Sequence, residues 1–505
     1  MNTGRDFGRA RSGSARKPKR QLGQAIPLGI AVMLFSTALV LALFNTGQMT
    51  SEKMRLANTA DAAAYSGMVW QARSLNFQAY TNRAMVANQV AIAQFVSFVS
   101  WSKYLAIGAR NFDTVANFVW FLKPFSAAFR QVAEAINEIM IVVADIAVPI
   151  LDALIEVLSA SQTVVHYAAA ATTWDIVQEV VRQNDPNYGL TAVTYGFLAL
   201  NASQWLNFTE QYDANAMLTR MQDVTMRSRD GFSSDRGWSF RSPDLGLVQV
   251  TLTKGGDTRL LSEGDANSRE ESDLEWEWKA KDTLSVHLRW RCPTWRNPGR
   301  YCNQEVPIAW GAAYASTTDE DFCATGASFF QQSGNCGDNA WTPNELAEQL
   351  ADSDDPISVD GYSGVRPYRD MSGLNEDEIS EDTRDPRLGL AVEVFKPGGT
   401  VRTSTVAGIG SPGNPDPARN GIGPGVFRLN DNFAGGEMSS ISKAEVFFRR
   451  PVPRSDGRLE YANLFNPYWD VHLTSARGER IAAWLVKGVG DIAGAIGGGG
   501  AVPGI

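Results

Sequence analysis

The sequence predicts an α+β protein in which an N-terminal transmembrane helix continues into an exported helical bundle and is followed by an antiparallel β-rich domain. Three observations predict it. Ala25 to Phe44 is an uncharged apolar run, helical spacing persists to about Asp230, and beyond that point the pattern changes to alternation. The expected divisions are 1–22, a basic tail; 23–46, the span and its flanks; 47–230, a helical region; 231–475, a β-rich domain with disulfide-containing and acidic loops; and 476–505, an amphipathic helix and Gly-rich tail.

At 1.5 Å per residue the Ala25–Phe44 run just covers a hydrocarbon core of ~30 Å. Residues 1–20 hold seven Arg and Lys against Asp6 alone. Such an excess stays on the cytoplasmic side, which directs the rest of the chain outward. A cleaved signal peptide is the alternative, but Leu41-Ala42-Leu43-Phe44 lacks an A-x-A-like site, which favours a retained anchor. Pro27 is tolerated in the first turn, where the amide it removes has no intrahelical partner. A polar turn is expected between the span and the Ala-rich helix after it.

The net charge is −9, and with the basic tail set aside the remainder carries about −15. An acidic exported body argues against nucleic acid as a partner, because phosphate binding needs clustered Lys and Arg. Cys292, Cys302, Cys323 and Cys336 are the four cysteines of the chain. An even count in an exported chain points to disulfides, with Cys292–Cys302 and Cys323–Cys336 closing the shortest loops. Zinc is the alternative, although no C-x-x-C knuckle is present.

Ser51 to about Arg110 reads as helix, without proline and rich in Ala, Gln, Met and Asn. Ala57, Ala60, Ala64 and Gly67 recur at three- and four-residue spacing, which lines one face and lets another helix approach closely. Plain Ala helix propensity accounts for the same residues. From Gln131 to about Leu158 a second helix is very apolar, and its acids Glu134, Glu138, Asp145, Asp152 and Glu156 fall on one narrow stripe. Pro149 predicts a kink. Burying those acids in lipid is costly, so this helix is expected in a bundle or on a membrane surface with the stripe solvated. An acidic proton relay fits the same spacing.

In the strand-rich half, Leu245 to Thr253 runs into Lys254-Gly255-Gly256-Asp257, read as a turn before Thr258 to Leu261. Leu284, Val286, Leu288 and Trp290 alternate with polar residues as in a half-buried strand. Val306 to Ala315, Leu390 to Phe395 and Lys443 to Arg449 are further strands. Residues 317–386 hold a dense acidic run, read as a solvated loop with calcium as the alternative. Gly408, Gly410 and Gly413 match a dinucleotide pattern by letter only, since Pro412 interrupts it. Ser475 to Ile492 predicts an amphipathic helix with Ile481, Trp484, Leu485 and Val489 on one side.

The run GQAIPLGIAVMLFSTALVLALFNTGQMTSEKMRLANTADAAAYSGM resembles the N-terminal segment of TadE/TadG-like proteins of the Flp (Tad) pilus-assembly system. Leu56, Asn58, Ala60, Asp61, Ala62, Ala63, Ala64 and Gly67 carry the L-x-N-x-A-D-A-A-A-like run and the small residue after it. Ala444 to Pro451 with Asn463 to Trp469 resembles a strand and turn of exported proteins that share this start. The fifth residue after Gly23 is Leu28, where processed pilin precursors have Glu, and Asp370-Met371-Ser372-Gly373-Leu374 lacks the last serine of a D-x-S-x-S metal site, so neither processing nor that metal is carried over. The resemblance implies a non-enzymatic, single-pass inner-membrane protein with a periplasmic body and no cofactor. Its expected partners are other TadE/TadG-like or pilus-assembly proteins, met through the Ala57/Ala60/Ala64/Gly67 face.

His166, His287 and His472 are far apart in sequence, and no G-x-S-x-G, H-E-x-x-H or P-loop motif is present. Glu275 and Glu277 form a carboxylate pair of the kind a glycosidase uses. The alternative function is an envelope or surface binding module. Trp238, Trp276, Trp278, Trp290, Trp295, Tyr301 and Trp310 crowd one region and can stack on sugars, or equally fill a core.

Overall fold

A computed structural model of the chain describes residues 25–116, 123–242, 248–264, 274–293, 300–318, 341–373, 385–401, 437–458 and 460–497. Its longest element is α1, Ala25–Ala116, a single helix of 92 residues, about 138 Å at the helical rise. The expected polar turn is absent: Asn45-Thr46-Gly47-Gln48 is helical. Thr46 Oγ1 donates to Ala42 O at 2.9 Å and Thr50 Oγ1 to Thr46 O at 2.8 Å, so these hydroxyls bond back onto their own helix instead of breaking it.

The second helix, α2 (Lys123–Asn184), returns antiparallel to α1. Arg110 meets Glu134, Gln162 meets Thr81, and Trp70 meets Thr172. Pro149 lies inside α2. Shorter helices α3 (Ala192–Leu206), α4 (Asn215–Arg227) and α5 (Gly231–Ser234) follow, with α6 (Glu345–Ser353) and α7 (Arg477–Gly497) later in the chain. Thr191 caps α3, its side chain accepting from the Thr194 amide.

Three sheets pack on this hairpin. One orders β1 (Gly189–Leu190), β9 (Leu388–Pro397), β10 (Glu437–Phe448) and β11 (Trp469–Thr474), all antiparallel. The largest runs β3 (Trp238–Arg241), β4 (Val248–Glu263), β5 (Glu275–Arg291), β6 (Tyr301–Ser316) and β7 (Ile357–Ser358), antiparallel except for the β6–β7 pair. The third pairs β2 (Thr209–Tyr212) with β8 (Tyr368–Met371).

The turn read at Lys254-Gly255-Gly256-Asp257 is also corrected, since β4 runs straight through it and pairs with β5 throughout. The glycines serve close approach here. A Cβ on Gly255 would lie 2.4 Å from Thr342 Cβ, and one on Gly256 2.5 Å from Asp282 Oδ1.

The helical and strand-rich regions share their cores. One cluster joins α1, α2 and α3 to β9, β10 and β11 through Leu56, Met68, Val177, Trp205, Leu390 and Val446. The other joins α1, α2 and α4 to β4, β5 and β6 through Ile92, Ile155, Leu218, Leu260, Trp278 and Ala313. Helix α1 therefore forms part of both.

Candidate functional site

The segment that carries the family motif sits at the base of the first core. Leu56, Ala60, Ala63, Ala64 and Gly67 are buried there, Ala57, Asp61 and Ala62 are half-buried, and Asn58 is exposed. A Cβ added to Gly67 would come within 2.9 Å of Leu390 Cδ2 and 3.0 Å of Val177 Cγ2. The small-residue face expected to meet other subunits is thus occupied by α2 and β9 of the same chain. An ion cluster closes the base: Lys396 Nζ reaches Glu52 at 2.8 Å and Asp185 at 3.0 Å, joining β9 to α1 and to the residue just after α2. Burial opposes the Lys396 charge, but its two carboxylate partners outweigh that and raise its pKa above the ordinary lysine value.

Further along α1, one buried face carries amides and hydroxyls in place of apolar groups. Gln71 Nε2 donates to Asn201 Oδ1 at 2.7 Å, and Asn82 Nδ2 to the carbonyls of Arg369 and Leu464 at 2.8 and 2.7 Å. Gln89 Nε2 donates to Gly364 O at 3.0 Å while its oxygen accepts from Trp278 Nε1 at 2.9 Å. Ser97 meets Thr258 at 2.6 Å, and Ser100 Oγ donates to Asp282 at 2.9 Å. From α2, Gln162 adds bonds to Thr81, Asn82 and the Arg369 amide. A half-buried Asn76 receives the Trp469 amide and donates to its carbonyl, at 3.1 and 2.9 Å. This ties the Asn463–Trp469 turn to α1, with Leu464 and Trp469 buried.

This polar face is met by backbone of the loops at Gly364 and Leu464 and of the strand ends at Arg369 and Trp469, so it fixes those segments on a helix that could otherwise slide past them. Sequence reasoning noted the Gln and Asn content of this stretch without finding the face. The signal was available as Gln71, Gln78, Asn82 and Gln89, spaced by seven, four and seven.

The second core holds a buried charge cluster. Asp282 is fully buried and accepts from Arg236 Nε at 2.9 Å, Lys254 Nζ at 2.9 Å and Ser100 Oγ at 2.9 Å. Beside it Gly311 of β6 touches the α1 backbone, since an added Cβ would lie 2.5 Å from both Ser100 O and Tyr104 N. On β5, Lys279 and Lys281 reach Asp352 of α6 at 3.3 and 2.7 Å. Asp352 was read as part of a solvated loop, and it is buried because it neutralises these lysines. Asp370 is likewise buried; burial pushes its pKa up to about 6 although the Leu464 and Met371 amides bond to it.

The solvated acidic stripe expected on α2 is corrected in part. Asp152 is buried and accepts from the Ser363 amide at 3.1 Å, Asp145 from the Asp360 amide at 3.5 Å, and Glu134 pairs with Arg110. Glu134, Asp145 and Asp152 turn to the protein because polar partners lie there, whereas Glu138 and Glu156 are exposed, and an apolar side of α2 is left outside.

The histidines remain apart. His166 is buried and stacked on Trp205, with burial and then Arg369 lowering its pKa to about 4. His287 bonds Asn344 at 2.8 Å and His472 pairs with Glu445 at 3.0 Å. Among the described residues Trp276 and Trp278 are core residues, Trp238 and Tyr301 are exposed, and Trp290 and Trp310 are half-buried, so these aromatics are divided between core and surface. Glu277 is buried and Glu275 exposed. Cys292 and Cys302 form a disulfide across β5 and β6. Cys323, Cys336, Trp295, the basic tail, Glu376 to Asp382 and the glycines at 408–413 lie outside the described residues. Among the described residues no group of three or more His, Cys, Asp and Glu is placed to hold a metal.

The Ala25–Phe44 part of α1 is long and apolar enough to cross a membrane, and its large side chains, such as Leu28, Phe35 and Val40, face away from the protein. Neither the curated proteins nor the solved structures contain a match to this chain. Its residues 23–73, from the membrane-length helix into the buried Ala/Gly face, match the Tad family model, described as Flp pilus-assembly TadE/G-like.

Proposed function

We propose that this chain is a non-enzymatic, single-pass inner-membrane component of Tad/Flp-type pilus assembly or anchoring, with its N-terminal tail in the cytoplasm and its body in the periplasm. The match at residues 23–73 carries this reading. The basic residues ahead of Ala25 support the orientation. A helix that leaves the bilayer without a break and then belongs to both cores holds the body at a set height above the membrane, as an anchored assembly factor requires. The binding-module alternative loses its support with the burial of Trp276 and Trp278.

The test is deletion of the gene in its own host, with surface filaments counted by electron microscopy beside a complemented strain. Loss of filaments restored by complementation is expected. Normal filaments in the deletion strain contradict the reading.

A further inference from the structure

With Glu134, Asp145 and Asp152 turned to the protein, α2 leaves an unusual outer face. Phe125, Phe129, Val132, Ile136, Ile139, Val143, Ile146, Ile150, Ala153 and Val157 follow one another at alternating four- and three-residue steps. That is a heptad seam, with Phe129, Ile136, Val143, Ile150 and Val157 at a and the others at d. All are exposed except Ile136, which is half-buried, with Ile146 60% and Ile150 63% exposed. The exposed side chains present roughly 1,000 Å² of apolar surface, so that two copies together reach the area of a stable interface.

Lipid is excluded by distance. The seam runs beside α1 from about Val86 to Asp113, as the contacts of Gln162 with Asn82 and of Ser126 with Asp113 show. Measured along α1, this is roughly 60 to 100 Å beyond Phe44, and a continuous helix bends too gently to return to the bilayer. A single continuous period over several turns is what another helix requires and what a loop or flat surface does not. Two copies anchored by residues 25–44 in one membrane point the same way and present their seams at the same height, so a parallel pairing is in register without adjustment. This last step rests on the anchoring reading above.

We infer that a second copy of this chain covers the α2 seam, in a parallel homomeric coiled coil. Phe, Ile and Val at a with no Leu at d leave the number of strands at two or more.

The test uses the full chain in its native membranes. Ile150→Cys, at a core position, is oxidised beside Glu179→Cys, which lies on α2 outside the seam, and beside the parent chain as the baseline for its own cysteines. A disulfide-linked product of two chain masses at Ile150→Cys, absent from Glu179→Cys, is expected. Purified in detergent, the parent chain is expected to have the mass of two or more copies by light scattering, and Ile146→Glu to lose that mass with unchanged helical circular dichroism.

A single-copy parent without a cross-link, or a cross-linked product of any other mass, overturns the inference. Alkaline carbonate extraction of the same membranes separates it from the anchoring reading. Chain retained in the membrane without a cross-link contradicts the seam alone, whereas chain released with the cross-link intact supports the seam and contradicts the anchor.

Discussion

Two stretches of α1 have few charges and opposite surroundings. Residues 25–44 expose Leu, Ile, Val and Phe side chains on every side, whereas residues 56–107 bury a face in which Ala, Gly, Gln, Asn and Ser sit among larger apolar residues. The first offers only Ser36 and Thr37 as polar side chains, and the second sets amides and hydroxyls beside core residues such as Leu56, Met68 and Ile92. Hydropathy separates the two, since the exposed window apolar enough to cross a membrane lies near the N-terminus. Besides hydropathy, what distinguishes the protein-facing stretch is a set of amides and hydroxyls that backbone of other segments meets.

The largest effect is expected where the protein-facing stretch meets β5, at the Asp282 that Ser100 contacts. Asp282→Ala leaves Arg236 and Lys254 buried against each other and should cost roughly 3–5 kcal/mol, read by denaturant unfolding of the detergent-solubilised full chain. In the lipid-facing stretch Leu34→Arg places a charge near mid-span at a cost of about 2.5–3.5 kcal/mol. It should lower the fraction of chain held in the membrane fraction while leaving the circular dichroism of the body unchanged. Retention equal to the parent would erase the distinction between the two stretches.

A smaller effect sharpens the comparison within α1. Gly311→Ala meets the α1 backbone and Gly67→Ala meets the flexible ends of Leu390 and Val177. Overpacking costs roughly 1–3 kcal/mol, and Gly311→Ala is expected at the top of that range with Gly67→Ala at the bottom. A reversed order in thermal unfolding would show that the β6 contact is the softer of the two.

The smallest effect is in pH dependence. Folded His166 titrates near 4, against 6.5 for an ordinary histidine, so its contribution to stability is present above pH 6.5 and is lost as pH falls towards 4. Asp370, raised to about 6, acts in the opposite sense: its contribution is present in acid and is lost as pH rises through 6. Comparing the parent with His166→Gln isolates the histidine, and the variant is expected to lose less stability than the parent between pH 6.5 and 4.5.

Periodicity made the long helices legible, and alternation made the central parts of β5, β6, β9 and β10 legible. The membrane-length run and the Ala/Gly face were equally plain. The failures share a cause, because in each a local signal was overruled by a partner far away in sequence or one turn back. Gly255-Gly256 reads as a turn until Thr342 and Asp282 are seen pressing on it. The polar residues at 45–48 read as a break until their hydroxyls are seen bonding back one turn. Asp145 and Asp152 of α2 read as solvated until the 360–366 segment is found supplying amides and Arg366. The Ala57/Ala60/Ala64/Gly67 face was found, but its occupant, β9 and α2 of the same chain, lies more than a hundred residues on.

The central claim is that α1 crosses the membrane once and emerges as the spine of an exported body. It is tested most directly by labelling intact cells with a membrane-impermeant maleimide, using Ser14→Cys in the basic tail and Arg454→Cys on the body, with the parent chain as baseline. The account predicts that Arg454→Cys is labelled from outside and that Ser14→Cys is labelled only after the membrane is permeabilised. Labelling of Ser14→Cys in intact cells, or protection of Arg454→Cys, would contradict it.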